Sequence, residues 1–161
     1  MDLRALQIAC EFFIYFWGCS YLVMFLAFFL KADMAATHFF GHNPRKLLTQ
    51  SEDVTLKEHI CLAHIYHRME ASFGVGQGAI VLATVAILPS FEVMGGLLLG
   101  ITVSNLMVLI NHSVNASGKW AFGTNHNDRS RKAFRVMIVF AACMFVWSLI
   151  LCVMALSQAE A

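Results

Sequence analysis

Polar side chains that can bind a ligand or move a proton are concentrated in two stretches of this otherwise apolar sequence. The members are His64, His67, Arg68 and Glu70 in the first stretch, and Asn105, Asn111 and His112 in the second. His and Glu can act as acid or base, and with Asn they can orient a lipid headgroup or a quinone. Because polar groups are costly at membrane depth, the cluster is a hypothesis for a functional site, namely a polar pocket at the mouth of the bundle on the side of the basic loops. We expect His67 or Glu70 to approach Asn111 or His112 there, within one water-bridged contact.

A metal site is a second interpretation of the same residues. The possible ligands are His64, His67, Glu70 and His112, since residues three and six positions apart can share a helix face. The sequence has no HExxH motif, and no span carries the central pair of histidines that bis-His haem needs. A simpler interpretation is an interfacial helix start whose charged tips reach the headgroups. The sequence requires no cofactor, and we expect bound lipid.

The composition indicates the class of protein to which these residues belong. Of the 161 residues, 59% are hydrophobic and 13% are charged, whereas soluble domains have about 45–50% and about 25%. A spanning helix needs about 20 apolar residues, so the chain has room for four spans and two loops but no second domain. The net charge is +1 and the basic residues form no continuous patch, which argues against nucleic-acid binding.

We therefore predict an all-α integral membrane protein, a four-transmembrane-helix bundle that forms a single membrane domain over residues 1–161. The predicted spans are 8–31, 56–88, 92–112 and 133–156. The second is about 50 Å long, so its polar first turns, Glu58–Glu70, should protrude as an interfacial extension. Thr55 and Glu58 fit a capping box at its start. Pro89 follows it, which predicts a tight antiparallel hairpin of spans two and three.

Small residues predict how the helices pack. Gly74 and Gly78 form a GxxxG pattern in span two, and Gly96, Gly100 and Ser104 repeat every four residues in span three. Such faces let two helix backbones approach closely in lipid. We expect the two faces to help form the hairpin contact. The alternative is oligomerisation through one of them.

The distribution of positive charge predicts the topology. Of the 11 Lys and Arg residues, all but Arg4 lie in segments 31–70 and 111–135, which a four-span chain places on one side. The positive-inside rule puts that side in the cytosol, matrix or stroma, and both termini on the opposite side. The rule has the same sign in several membranes, so the organelle stays open.

No catalytic motif accompanies these features. The sequence has no GxSxG, no CxxC among its five cysteines, and no phosphate loop. The leading hypothesis is a small non-catalytic accessory or scaffold subunit of a larger membrane complex, whose partners are membrane lipids and other subunits. One alternative is a lipid-, sterol- or quinone-binding protein or small membrane enzyme that uses the polar pocket. A second is a metal- or haem-binding redox protein.

Overall fold

The computed structural model describes residues 2–31, 44–50, 52–117 and 128–159. Over these residues the chain is almost entirely helical and contains no strand. The helices are α1 (Leu3–Leu30), α2 (Pro44–Gln50), α3 (Val54–Ile87), α4 (Phe91–Ser117) and α5 (Asp128–Ala159).

Four of these helices are long and apolar enough to cross a membrane, which confirms the predicted number of spans within the described residues. The apolar segments are Leu3–Leu30, Arg68–Ile87, Phe91–Val114 and Arg135–Ala159. Three of the helices extend several residues beyond the predicted spans, because helical hydrogen bonding continues into polar turns that hydropathy does not mark. In α3 the apolar segment covers only the last 20 residues of 34.

Side chains of the preceding residues determine where two helices begin. Asp53 Oδ1 accepts hydrogen bonds from the backbone amides of Thr55 (2.9 Å) and Leu56 (3.2 Å), and Asp2 Oδ1 accepts one from Arg4 N (3.0 Å). The predicted cap at Thr55 is therefore wrong. An Asp carboxylate satisfies the first free amides and also interacts favourably with the helix dipole, so α3 begins two residues earlier. At its other end α3 stops at Ile87, ahead of Pro89.

Helix packing differs from the predicted hairpin. The extensive contacts join α1 to α3 and α4 to α5, while α3 and α4 touch only sparingly although three residues connect them. The buried core draws mainly on α1, α4 and α5, and its largest fully buried side chains include Phe13, Ile14, Met94 and Leu98. A short turn places helix ends together but does not dictate which faces pack, so the prediction of an extended contact between α3 and α4 is wrong.

The glycine faces explain the preference for α1. A Cβ on Gly78 would lie 3.0 Å from the Gly18 carbonyl oxygen, and a Cβ on Gly74 would collide with the Phe25 ring. Both neighbours belong to α1, which offers a small residue of its own opposite Gly78. The two glycines of the predicted α4 face have no such contact: a Cβ on Gly96 or Gly100 would have no neighbour within 4 Å among the described residues. The two small faces therefore do not face each other.

Candidate functional site

The inward face of α4 carries buried polar side chains. Thr102, Asn105 and His112 are all buried, with Asn105 only 5% exposed. Thr102 Oγ1 donates to the Leu98 carbonyl at 2.7 Å, a bond within its own helix that satisfies the hydroxyl at little cost. Asn105 has no such local solution, so its partners must come from another helix.

Two hydrogen bonds connect this face of α4 to α1. Trp17 Nε1 donates to Asn105 Oδ1 at 3.4 Å, and the Tyr21 hydroxyl lies 3.4 Å from Ser104 Oγ. Both distances exceed the usual 2.7–3.0 Å by about half an ångström, so each bond is weak. We call Trp17, Tyr21, Ser104 and Asn105 the interhelical polar cluster.

Stacked aromatic rings hold the α1 side of this cluster in place. The Trp17 and Tyr21 rings lie one turn apart with centroids 3.8 Å apart and planes 21° from parallel. Tyr21 in turn lies against Phe25 at 5.2 Å, and Phe25 against Phe28 at 6.1 Å. The four rings form a ladder along one side of α1. Because stacking restricts both side chains, it orients the indole N–H and the phenol toward α4.

The cluster lies near the middle of the apolar spans. Asn105 is about 4 Å along the helix from the midpoint of Phe91–Val114, and Trp17 is within about 1 Å of the midpoint of Leu3–Leu30. From the sequence alone, Asn105 is grouped with residues at the basic-side mouth. Its hydrogen-bond partner is instead Trp17 of α1, near the middle of both apolar segments.

Sequence reasoning missed Trp17 and Tyr21 as members of a site. The sequence does contain a signal. Trp17 and Tyr21 are four residues apart in the middle of one apolar span, and the adjacent polar residues Ser104 and Asn105 lie in the middle of another. That pattern indicates polar groups on two helices at equal depth, but not that they face each other.

The residues predicted to form the pocket at the basic-side mouth differ in how exposed their side chains are. Arg68, Glu70 and Asn111 are exposed, whereas His112 is buried. His64 and His67 lie within α3, but their side chains fall outside the described residues. The predicted approach of His67 or Glu70 to Asn111 or His112 stays a prediction. So does the metal hypothesis: the described side chains include no group of three possible ligands, but that set excludes the two histidines of α3.

No family model, curated protein or solved structure matches this chain. What it does must therefore be inferred from its own residues. The four side chains of the interhelical polar cluster are neutral at pH 7, and none is paired with a carboxylate or a histidine in a hydrogen bond described above. Such a group can hold helices together and bind an uncharged molecule through hydrogen bonds.

Proposed function

We propose that this chain is a multi-pass membrane protein that serves as a non-catalytic accessory or scaffold subunit of a larger membrane complex. Most of its described residues belong to the four apolar helices, so the surface available to a partner is largely the outer surface of those helices. In lipid, association of such surfaces depends on close packing rather than on the hydrophobic effect.

The observation that supports this proposal is the outward glycine pair of α4. Gly96 and Gly100 are exposed, and the space where each Cβ would lie is open. Four other helical glycines, Gly18, Gly74, Gly78 and Gly95, are covered by a neighbouring helix or its side chains, whereas a Cβ on Gly76 would meet nothing within 4 Å among the described residues. Glycine lowers helix propensity by roughly 1 kcal/mol relative to alanine. At those four positions that cost accompanies close helix contacts, and a partner helix over Gly96 and Gly100 would extend the pattern.

The face around these glycines is shaped for a helix. Val103 and Met107 continue the stripe, and both are exposed, at 52% and 60%. Ser104 departs from the predicted small face, because it turns inward toward Tyr21. The outward face of α4 is therefore a shallow groove at Gly96 and Gly100, and toward the end of the helix it carries larger apolar side chains.

The bundle and its orientation form part of the same proposal. The four helices pack together across the bilayer with lipid around them, and the polar first turns of α3 protrude. The basic loops lie in the cytosol, matrix or stroma and both termini lie opposite, as the charge asymmetry favours.

Native mass spectrometry of the tagged chain, purified from its own membranes in a mild detergent, tests the proposal. We expect a fixed partner subunit with the wild type. The double variant Gly96→Leu and Gly100→Leu should lose that partner while the thermal unfolding midpoint of the isolated chain stays the same or rises, since leucine is the better helix former at an open position. Val139→Leu, at a 64% exposed position of α5, is the matched control and should keep the partner. A wild type without any partner, or a double variant that keeps it, would refute the proposal.

A further inference from the structure

The Asn105 side chain has hydrogen-bonding capacity that its protein neighbours do not use. Its Oδ1 accepts from Trp17 Nε1, which fixes the orientation of the amide and leaves the two N–H donors of Nδ2 on the other side. Nδ2 is fully buried and finds no acceptor among the residues that the structure describes. Asn105 as a whole is 5% exposed.

A buried donor without an acceptor is costly, and the chain offers an easy way to avoid that cost. An unsatisfied polar group costs about 1–3 kcal/mol in a protein interior. Leucine has the same branched shape, although it is larger, and would place no hydrogen-bond donor at this position. Serine and threonine nearby satisfy their hydroxyls within their own helices, as Thr102 and Ser148 do. Asn105 differs from them. Its Oδ1 accepts a hydrogen bond from another helix, and its Nδ2 donors have no acceptor among the described residues.

We propose that Asn105 Nδ2 donates to an uncharged oxygen acceptor held between α1 and α4 in the middle of the membrane. The neighbouring side chains favour an acceptor without charge. Trp17, Tyr21 and Ser104 are neutral, and no described cation is hydrogen-bonded to the cluster, so an anion would gain no counter-charge there. The long 3.4 Å bonds of the cluster leave the tryptophan, tyrosine and serine groups able to share a bridging oxygen.

Two sources can supply this chemistry. One is an internal water, which typically makes about three hydrogen bonds to polar groups of this kind. The other is the carbonyl of a flat membrane-soluble molecule such as a quinone. Its apolar ring would suit the half-buried rings of Tyr21, Phe25 and Phe28 that extend from the cluster along α1. Both sources provide an oxygen that accepts a hydrogen bond from Asn105 Nδ2. An added quinone should change the thermal unfolding midpoint only if the acceptor is a membrane carbonyl.

The test compares Asn105→Leu with its parent in a Trp17→Phe background, since phenylalanine removes the direct bond to Oδ1 from both proteins. Thermal unfolding in dodecyl maltoside is followed by circular dichroism at 222 nm, with and without decylubiquinone as the probe. If Nδ2 holds an acceptor, the leucine variant unfolds at a midpoint lower by roughly 2–4 °C. A deficit that is equal in both conditions identifies water. A deficit that appears or grows only with the probe identifies a membrane carbonyl. A leucine variant as stable as its parent or more stable, in both conditions, overturns the proposal.

A second measurement avoids dependence on the variants' folding. In wild-type protein with ¹⁵N-labelled asparagine, the Asn105 side-chain amide protons should show nuclear Overhauser contacts to water or to the probe. Contacts to protein protons alone would overturn the proposal.

Discussion

The carbonyl oxygen of Gly18 in α1 lies 3.0 Å from the point where a Cβ on Gly78 of α3 would be. The Leu22 amide nitrogen lies 3.1 Å from the same point, so two helix backbones meet there without a side chain between them. Gly18 and Gly78 are near the middle of their apolar segments. Close contact of this kind maximises van der Waals attraction in a solvent that supplies no hydrophobic drive between helices.

Gly78→Ala is therefore expected to destabilise the protein, whereas Gly76→Ala is expected to stabilise it slightly. Each change gains up to about 1 kcal/mol of helix propensity. At Gly78 the new methyl group meets backbone atoms of Gly18 and Leu22, which cannot rotate away, and such overpacking costs about 1–3 kcal/mol. A methyl group at Gly76 would have no such neighbour within 4 Å among the described residues. Thermal unfolding in detergent measures the difference, and equal midpoints would contradict the backbone contact.

Gly95→Ala should cost less than Gly78→Ala, although its new methyl group would be closer to a neighbour. The nearest atom is Leu156 Cδ2 at 2.6 Å, which ends a flexible side chain that is 38% exposed. That side chain can rotate toward lipid, while a backbone cannot.

Removing the Leu156 side chain should relieve the effect of Gly95→Ala. In a Leu156→Ala background, Gly95→Ala should be neutral or stabilising, because the colliding atoms are gone. Unfolding midpoints of the four proteins in this double-mutant cycle give the coupling. An equally large loss in both backgrounds would mean that another contact limits the space at Gly95.

Tyr21→Phe should have a small effect and Tyr21→Leu a larger one. Phenylalanine loses the 3.4 Å contact to Ser104 but keeps the ring that stacks on Trp17, whereas leucine loses both. Interhelical hydrogen bonds in membrane proteins average about 0.6 kcal/mol, and an aromatic pair adds about 0.5–1.5 kcal/mol beyond its buried area. The measurement is the free energy of unfolding in detergent. A phenylalanine variant as damaged as the leucine variant would show that the hydroxyl, not the ring, holds the cluster.

Cys61 and a cysteine at Ser157 should react with a water-soluble maleimide from opposite sides of sealed vesicles. Cys61 is exposed and precedes the apolar segment of α3, and Ser157 is exposed near the end of α5. The positive-inside rule places them on different sides. Cys19 and Cys143 are the internal controls: both are exposed but lie at least eight residues from either end of their apolar segments, whereas Ser157 is two residues from an end, so lipid should protect the two controls from this reagent. Labelling of positions 61 and 157 from the same side would rule out the four-span topology.

Length, composition and charge were sufficient to predict the helical class and the four apolar segments. These properties are local: about 20 consecutive apolar residues satisfy their own backbone hydrogen bonds as a helix wherever they lie in lipid. Helix ends were predicted less well, as at Asp53, because several residues near an end can cap it and the sequence does not rank them. The glycine pattern at Gly74 and Gly78 likewise identified a small face but not its partner.

Only the tertiary structure decided which faces meet. Gly78 packs on Gly18 rather than on the α4 glycines, and Asn105 reaches Trp17, 88 residues away in the chain, rather than the residues of the predicted mouth. The reason is that a helix face has no preferred partner until all helices compete for it. The outcome then depends on which pair of surfaces approaches most closely and which distant groups satisfy a buried amide, and neither is a property of one segment.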